Sequence, residues 1–114
     1  MPAKSSRKSS PNVAPGVADV FLSRRAYADL AEIDTYGTSH FGEATVAAYH
    51  DAFDQAFARL ATYPLSGEAR PGFGVGLRCL VCGSHRILYR IEVQVVQIVR
   101  VLHHSRDVPR HLPE

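Results

Sequence analysis

The apolar residues of this 114-residue chain change their spacing once, and that change limits the folds available to it. Between Glu43 and Thr62 they recur every three or four positions, which is the spacing of one side of an α-helix. After the glycine- and proline-rich stretch 65–76 the period falls to two, which is the spacing of β-strands. Helices followed by strands in one short chain indicate an α+β domain.

Two helices are predicted before the change in spacing. Ser23 precedes the first helix, where its hydroxyl can accept a hydrogen bond from a free backbone N–H, and Gly42 is expected to end it in a left-handed conformation. The apolar positions of this helix are Ala26, Leu30 and Ile33, with Tyr36 as a further candidate. The apolar stripe of the second helix is Val46, Tyr49, Phe53, Ala56, Phe57 and Leu60. A short link that contains glycine joins them, so an antiparallel helical hairpin is expected.

Four strands are predicted around this hairpin. Residues 17–23 form a short N-terminal strand, residues 76–82 and 85–91 flank a two-residue turn, and residues 92–104 form the last strand. With the turn at Gly83-Ser84, one face of the sheet carries Arg78, Leu80, Cys82, His85, Ile87 and Tyr89. The other face carries Leu77, Cys79, Val81, Arg86, Leu88 and Arg90. The predicted fold class is α+β, with an N-terminal strand, an antiparallel helical hairpin and then a three-stranded antiparallel sheet; which face covers the helices is left open.

The length of the chain suits a single domain, predicted over residues 17–114. Residues 1–16 are rich in serine, proline and basic groups and have little to bury, so a disordered basic leader is expected there. No apolar run is long enough to span a bilayer, which argues against a membrane protein. There is also no apolar segment typical of a secretory signal, so a cytoplasmic location with two free thiols is expected.

The motif Cys79-x-x-Cys82, followed by His85, resembles half of a zinc site, with His103 or His104 as a fourth ligand. Structural zinc needs four ligands that converge, usually from two such pairs, and the chain has only one. Residues three apart on a regular strand also point to opposite faces. We therefore expect no metal ion and no cofactor, and interpret both cysteines as small apolar strand residues.

The chain has no lysine after Lys8, so its later basic side chains other than histidine are all arginines. Residues 64–114 contain seven arginines and four acidic residues. The planar guanidinium fits carboxylates and phosphates in a way that lysine does not. A basic surface for an acidic partner is one interpretation, and ordinary solvated strand faces are the other. The predicted partner-binding residues are Arg70, Arg78, Arg86, Arg90 and Arg100.

Cleavage of RNA without a metal ion would need a general base, a general acid and a cation at one phosphate. The candidates are Arg86, His103, His104 and Arg106. The pattern is weak by itself, because a histidine at a strand end is more often a surface or capping group. The sequence has no glycine-rich phosphate loop, no Ser/His/Asp arrangement and no paired carboxylates at a catalytic spacing.

The order of these motifs resembles that of ParE toxins, in the ParE/RelE superfamily, over about residues 17–112. The features that carry the resemblance are Pro64, Gly67, Arg70, Gly76-Leu77-Arg78, Gly83-Ser84, Arg86, Leu88-Tyr89-Arg90, Val101-Leu102-His103 and Arg106-Asp107. No single motif is specific, but their order and spacing together are. The resemblance implies the toxin half of a type II toxin–antitoxin pair. It also implies a ParD-like antitoxin whose C-terminal segment wraps and neutralises the toxin.

The resemblance implies two possible targets, DNA gyrase for the ParE branch and mRNA on the ribosome for the RelE branch. RelE-like nucleases have lysines on the strand that here begins at Leu77 and a tyrosine in the C-terminal segment. This chain has no lysine after Lys8 and no tyrosine after Tyr89, and His104 stands about where RelE has a catalytic arginine. We therefore expect a gyrase inhibitor with no catalytic residues and no direct nucleic-acid binding without a partner. The alternatives are a ribosome-dependent mRNA endonuclease and a degenerate toxin that only binds an antitoxin.

Overall fold

The fold is described from a computed structural model, in which residues 18–106 and Val108 are placed. The elements are β1 (Asp19–Leu22), α1 (Arg24–Phe41), α2 (Glu43–Thr62), β2 (Glu68–Ala69), β3 (Arg78–Cys82), β4 (His85–Glu92) and β5 (Val95–His103). Single 3₁₀ turns at Pro64–Ser66 and Pro71–Phe73 flank β2. The expected leader at residues 1–16 and most of the C-terminal segment lie outside the described residues.

The helical hairpin forms where the sequence predicts it. The hydroxyl of Ser23 accepts a hydrogen bond from the Ala26 N–H at 3.0 Å and so caps α1. Gly42 ends α1 with a φ of 90°, which a residue with a side chain rarely adopts. The α2 side chains that are buried are Val46, Phe53, Phe57 and Leu60. The predicted apolar stripe of α2 is therefore confirmed.

Tyr36 does not belong to the apolar stripe of α1, because its side chain is 58% exposed. The residue that meets α2 is its neighbour, Gly37, which is buried. A Cβ atom at Gly37 would lie 2.9 Å from Cγ2 of Val46, so the helices pack too closely there for a side chain. The close contact between the helices falls at the glycine, and this leaves Tyr36 in solvent.

The strands form one mixed five-stranded sheet in the order β1-β5-β4-β3-β2. β1 pairs in parallel with β5, and the other pairs are antiparallel. The predicted turn at Gly83-Ser84 is confirmed, with Cys82 opposite His85 and Leu80 opposite Ile87. The stretch 65–76, predicted as a loop from its glycines and prolines, contributes the two-residue strand β2 at the edge of the sheet.

The predicted strand 92–104 begins three residues later than expected, at Val95. Val93 and Gln94 form the turn between β4 and β5, and Gln94 has a left-handed φ of 58°. The Gln94 carbonyl accepts a hydrogen bond from the Asp19 N–H at 3.1 Å, so this turn is also bonded to the first residue of β1. A run rich in valine has none of the glycine, asparagine or proline that usually indicates such a turn.

The two faces of the sheet are covered unequally, and the face with Ile87 and Tyr89 packs on the helices. We call it the inner face. The main core contains Ala18, Ala26, Phe53, Phe57, Leu60, Ile87, Tyr89, Val96, Ile98 and Val101. The opposite face, with Leu77, Cys79, Val81, Arg86, Leu88 and Arg90, is called the outer face. A smaller cluster of Cys79, Leu88, Leu102 and Val108, with Phe73 packed against it, covers part of the outer face.

An irregularity in the β4–β5 pairing fixes the position of α1. Leu88 lies opposite Arg100 and Tyr89 opposite Ile98, so Val99 is an extra residue in β5. The Ser23 hydroxyl donates a hydrogen bond to the Val99 carbonyl at 2.8 Å. Ser23 therefore caps α1 and also attaches its N-terminus to the bulge. None of the helices in the described part of the chain is long and apolar enough to cross a membrane.

Candidate functional site

Arg100, one of the predicted partner-binding residues, lies inside the fold. Its Nε and Nη2 atoms donate hydrogen bonds of 2.8 Å to the two carboxylate oxygens of Asp29 in α1. The two side chains are only 10% and 9% exposed. The hydrogen bond that Arg100 donates to Asp29 raises the pKa of Arg100, although burial acts in the opposite direction. We correct the prediction for Arg100, which we expect to stabilise the fold and not to meet a partner.

The prediction missed Asp29, the partner of Arg100, although a signal for it exists in the sequence. Asp29 lies three residues after Ala26 and one before Leu30, so it falls on the apolar side of the predicted helix. A carboxylate in that position needs a cation or several N–H donors. Asp29 has both, because its Oδ2 also accepts a hydrogen bond from the Val101 N–H at 2.9 Å.

Arg78 and Tyr89 hold the segment between α2 and β2 in place, and we call this set of contacts the loop latch. Arg78 donates to the Gly67 carbonyl from Nε at 3.0 Å and from Nη2 at 2.7 Å, and to the Leu65 carbonyl at 3.2 Å. The Tyr89 hydroxyl donates to the Pro64 carbonyl at 2.6 Å and accepts from the Gly67 N–H at 2.9 Å. A Cβ at Gly67 would lie 2.6 Å from that hydroxyl, so glycine is needed. Arg78 is therefore largely committed to its own chain.

Two of the predicted arginines, Arg70 and Arg86, come together on the outer face around Phe73. The guanidinium carbon of Arg70 lies 4.2 Å from the centre of the Phe73 ring, and that of Arg86 lies 5.8 Å away. No carboxylate of the described residues lies within ion-pair distance of either arginine. Arg90, on the same face, donates from Nε to the Val75 carbonyl at 3.2 Å. We call Arg70, Arg86 and Phe73 the arginine clamp.

Three histidines meet at the end of the sheet that lies beside α2. The His85 ring lies 5.7 Å from the ring of Phe53 and 5.4 Å from that of His103. The rings of His103 and His104 are 4.4 Å apart. Burial, together with the nearby charges of His103 and His104, lowers the pKa of His85. The surroundings of His85 therefore favour its neutral form.

The four candidate nuclease residues do not converge on one point. His103 lies beside His85 on the inner side of the sheet, where the Phe53 ring is also located. Arg86 lies on the outer face beside Phe73. His104 packs on His103, and the Arg106 N–H donates to the His103 carbonyl at 2.9 Å. A phosphate bound at Arg86 would therefore be separated by the sheet from His103.

Cys79 and Cys82 lie on opposite faces of β3, as the strand geometry predicts. Cys79 belongs to the outer cluster, and Cys82 packs against the main core. Burial raises the pKa of both thiols and so disfavours the reactive thiolate. In the described part of the chain, no three His, Cys, Asp or Glu side chains are grouped as metal ligands would be.

The tip of the helical hairpin carries an aromatic group that sequence reasoning did not identify as a site. The rings of Tyr36 and His40 stack at a centroid distance of 3.8 Å. Phe41 follows, with its ring 6.2 Å from that of Tyr36 and its side chain 55% exposed. The signal for this group is the recurrence of aromatic residues at positions 36, 40 and 41, beyond the part of α1 that meets the sheet.

The α+β fold and its arginine-bearing sheet define a small protein of the ParE/RelE type. Residues 20–108 match the family described as ParE toxin of type II toxin-antitoxin system, parDE. Toxin ParE1 of Caulobacter vibrioides is 37% identical over 91 residues, which cover 80% of this chain and 94% of that protein. Toxin ParE1 of Mycobacterium tuberculosis is 35% identical over 92 residues, again 80% and 94% of the two chains. The chain therefore belongs to the ParE toxin family, as the sequence motifs predicted.

Solved structures agree with this assignment. The chromosomal ParDE toxin–antitoxin system of P. aeruginosa contains a chain with a TM-score of 0.65 and 21% identity, covering 74% of this chain and 92% of that one. The toxin–antitoxin complex RelBE2 of Mycobacterium tuberculosis gives a TM-score of 0.55 and 26% identity, covering 76% and 98%. The first similarity, at this level of identity, establishes the fold alone. The α+β prediction is confirmed, with a five-stranded mixed sheet in place of the three antiparallel strands and separate N-terminal strand.

Proposed function

We propose that this ParE-family toxin acts in the cytoplasm by binding and inhibiting DNA gyrase, and that a ParD-like antitoxin neutralises it. The observation that carries the proposal is the match to Toxin ParE1 of Caulobacter vibrioides over 94% of that protein's length. A match over nearly the whole length of a protein named as a toxin supports a toxin role for this chain. The gyrase target is the one that the ParE branch of the superfamily implies.

An antitoxin partner is supported by two observations. The two solved structures compared above come from toxin–antitoxin systems. In addition, Arg70 and Arg86 lie on the outer face with no carboxylate of the described residues in ion-pair distance. Guanidinium groups in such a position are suited to carboxylates supplied by another protein.

Inhibition by binding, without catalysis, is supported by the arrangement of the candidate nuclease residues. A general base, a general acid and a cation have to lie within hydrogen-bond reach of one phosphate. Here Arg86 and His103 lie on opposite sides of the sheet. An inhibitor needs only a complementary surface, which the outer face and the exposed aromatic residues of the hairpin tip provide.

The second candidate function is ribosome-dependent cleavage of mRNA. It is favoured by the similarity to a chain of the RelBE2 complex, at 26% identity. The His103–His104 pair at the exposed end of β5 would be its site. A degenerate toxin that retains only antitoxin binding would share the same fold and the same arginine clamp.

Controlled expression in a bacterial host separates these candidates. For a gyrase inhibitor we expect growth arrest in which incorporation of labelled thymidine falls before incorporation of labelled methionine. Co-expression of the protein encoded by the adjacent reading frame should restore growth. Methionine incorporation that falls first would favour the nuclease. Full growth at verified expression would leave only the degenerate antitoxin-binding protein.

A further inference from the structure

We propose that an extended, acidic segment of the antitoxin adds to the sheet along the free edge of β3 at residues 80–82. One of its carboxylates then binds at the arginine clamp on the outer face. This inference rests on the proposed antitoxin partner, and it specifies the surface and the chemistry through which that partner is held.

The edge of β3 is open because the loop latch turns the preceding chain away from it. β2 pairs with only two residues of β3, Arg78 and Cys79. Gly67 is next in register and would lie opposite Leu80. Its N–H instead bonds to the Tyr89 hydroxyl, and its carbonyl accepts from Arg78. Among the described residues, β3 is therefore left without a neighbouring strand from Leu80 to the turn at Gly83.

Val81 is the residue whose backbone is available at this edge. Cys82 and His85 flank a two-residue turn, where the flanking residues exchange hydrogen bonds with each other. The alternation of an antiparallel ladder then directs the N–H and carbonyl of Val81 away from β4. Its side chain is 68% exposed on the outer face. Val81 thus offers a donor, an acceptor and an apolar contact to an added strand.

The arginine clamp lies next to this edge on the same face. Arg86 is the cross-strand partner of Val81, and the Phe73 ring joins Arg86 to Arg70. Both arginines act electrostatically on Cys79, which is two residues from Val81 along β3. A carboxylate in the added strand would therefore meet two guanidinium groups, and such charge-assisted hydrogen bonds are about twice as strong as neutral ones.

A peptide fits this surface better than a nucleic acid does. An open strand edge recognises the main chain of another strand, and alternate side chains of the added strand then occupy the neighbouring positions. Val81 contributes an apolar position directly beside Arg86. A nucleic acid would use the arginines but would leave the N–H and carbonyl of Val81 without a partner.

The first experiment measures binding of the full chain to the protein encoded by the adjacent reading frame, by calorimetry. Val81→Pro removes the N–H of the free edge without removing a hydrogen bond to β4, and Arg86→Glu reverses one charge of the clamp. We expect each to weaken binding about tenfold or more. The matched controls are Val81→Ile, which keeps both the N–H and an apolar side chain, and Arg59→Glu on the exposed surface of α2; neither should change the affinity. Unchanged binding by both test variants would overturn the inference while leaving the antitoxin assignment intact.

The second experiment needs no variant, so it remains decisive if Val81→Pro fails to fold. Hydrogen exchange of the native chain should slow at residues 80–82 when the adjacent-frame protein is added. Slowing confined to the α1–α2 hairpin would overturn the inference. Failure of the native chain to bind the adjacent-frame protein would refute the antitoxin proposal itself. A single-stranded DNA oligonucleotide that binds native protein but not Arg86→Glu, with the protein partner unaffected by that substitution, would assign the clamp to nucleic acid.

Discussion

At the residue scale, the five predicted partner-binding arginines have different environments. Arg100 is paired with Asp29 in the interior, and Arg78 is bound to the carbonyls of Leu65 and Gly67. Among the described residues, the guanidinium groups of Arg70 and Arg86 contact an aromatic ring, and that of Arg90 donates one hydrogen bond to a loop carbonyl. One residue type thus stabilises the core, positions a loop and forms a surface. The difference depends on which carbonyl or carboxylate lies within reach of each side chain.

Arg100→Ala should destabilise the protein severely, because it leaves the buried Asp29 carboxylate without its cation. Breaking a buried pair in this way costs about 3–5 kcal/mol. The free energy of unfolding from urea titration measures this loss. Arg25→Ala, on the exposed surface of α1, is the matched control and should change stability by less than about 0.5 kcal/mol. An Arg100→Ala protein as stable as the control would show that Asp29 and Arg100 do not form a buried pair.

The sequence alone does not tell which arginines lie in the core, which hold a loop and which lie on the surface. Strand alternation places Arg86 and Arg90 on one face, and the observed register confirms it. The same alternation cannot place Arg100, because the extra residue Val99 interrupts the β4–β5 ladder just before it. This bulge is in contact with a distant residue, because the hydroxyl of Ser23, which caps α1, donates to the Val99 carbonyl. Local periodicity carries no information about such a contact.

At the scale of elements, the helices were predicted closely because their signals are local. The Ser23 cap, the glycine after α1 and the proline after α2 lie within a few residues of the boundaries that they set. The short strand β2 and the turn at Val93-Gln94 were not predicted. Both depend on residues that are distant in the sequence. β2 is stabilised by pairing with β3, and the Gln94 carbonyl in the turn accepts a hydrogen bond from the Asp19 N–H. The parallel pairing of β1 with β5 is likewise a contact between the two ends of the domain.

The histidine group joins the end of the sheet to α2 and should make stability depend on pH. Because burial lowers the pKa of His85 in the folded state, the unfolded chain binds a proton more readily near its ordinary pKa of about 6.5. The contribution of His85 to the free energy of unfolding is therefore fully present above that pH. It declines as the pH falls towards the lowered pKa of the folded state.

Thermal denaturation between about pH 8 and about pH 5 measures this effect. The native protein should lose more stability on acidification than His85→Gln, which has no group to protonate at that position. Gln55→Ala, at an exposed position of α2 and without a titrating group, should behave like the native protein. Parallel stability curves for the native protein and His85→Gln would contradict the lowered pKa of the half-buried His85.

At the scale of the whole molecule, the two sides of the sheet have separate roles. The inner face and the helical hairpin form the main core, while the outer face has a small apolar cluster and the arginine clamp. This separation places Arg86 and the histidine group on opposite sides of the sheet. Membership of the ParE family follows from the motifs and is confirmed, whereas the fold by itself is shared by proteins with different functions.

The central claim, inhibition of gyrase by binding, is tested most directly with purified components. The isolated protein should block supercoiling by DNA gyrase, or trap gyrase on cleaved DNA, in proportion to its concentration. It should leave mRNA intact in a ribosome-programmed translation mixture, and His104→Ala should inhibit gyrase as well as the native protein does. Gyrase unaffected by the native protein, together with mRNA cuts that disappear in His104→Ala, would contradict the claim and make His104 catalytic.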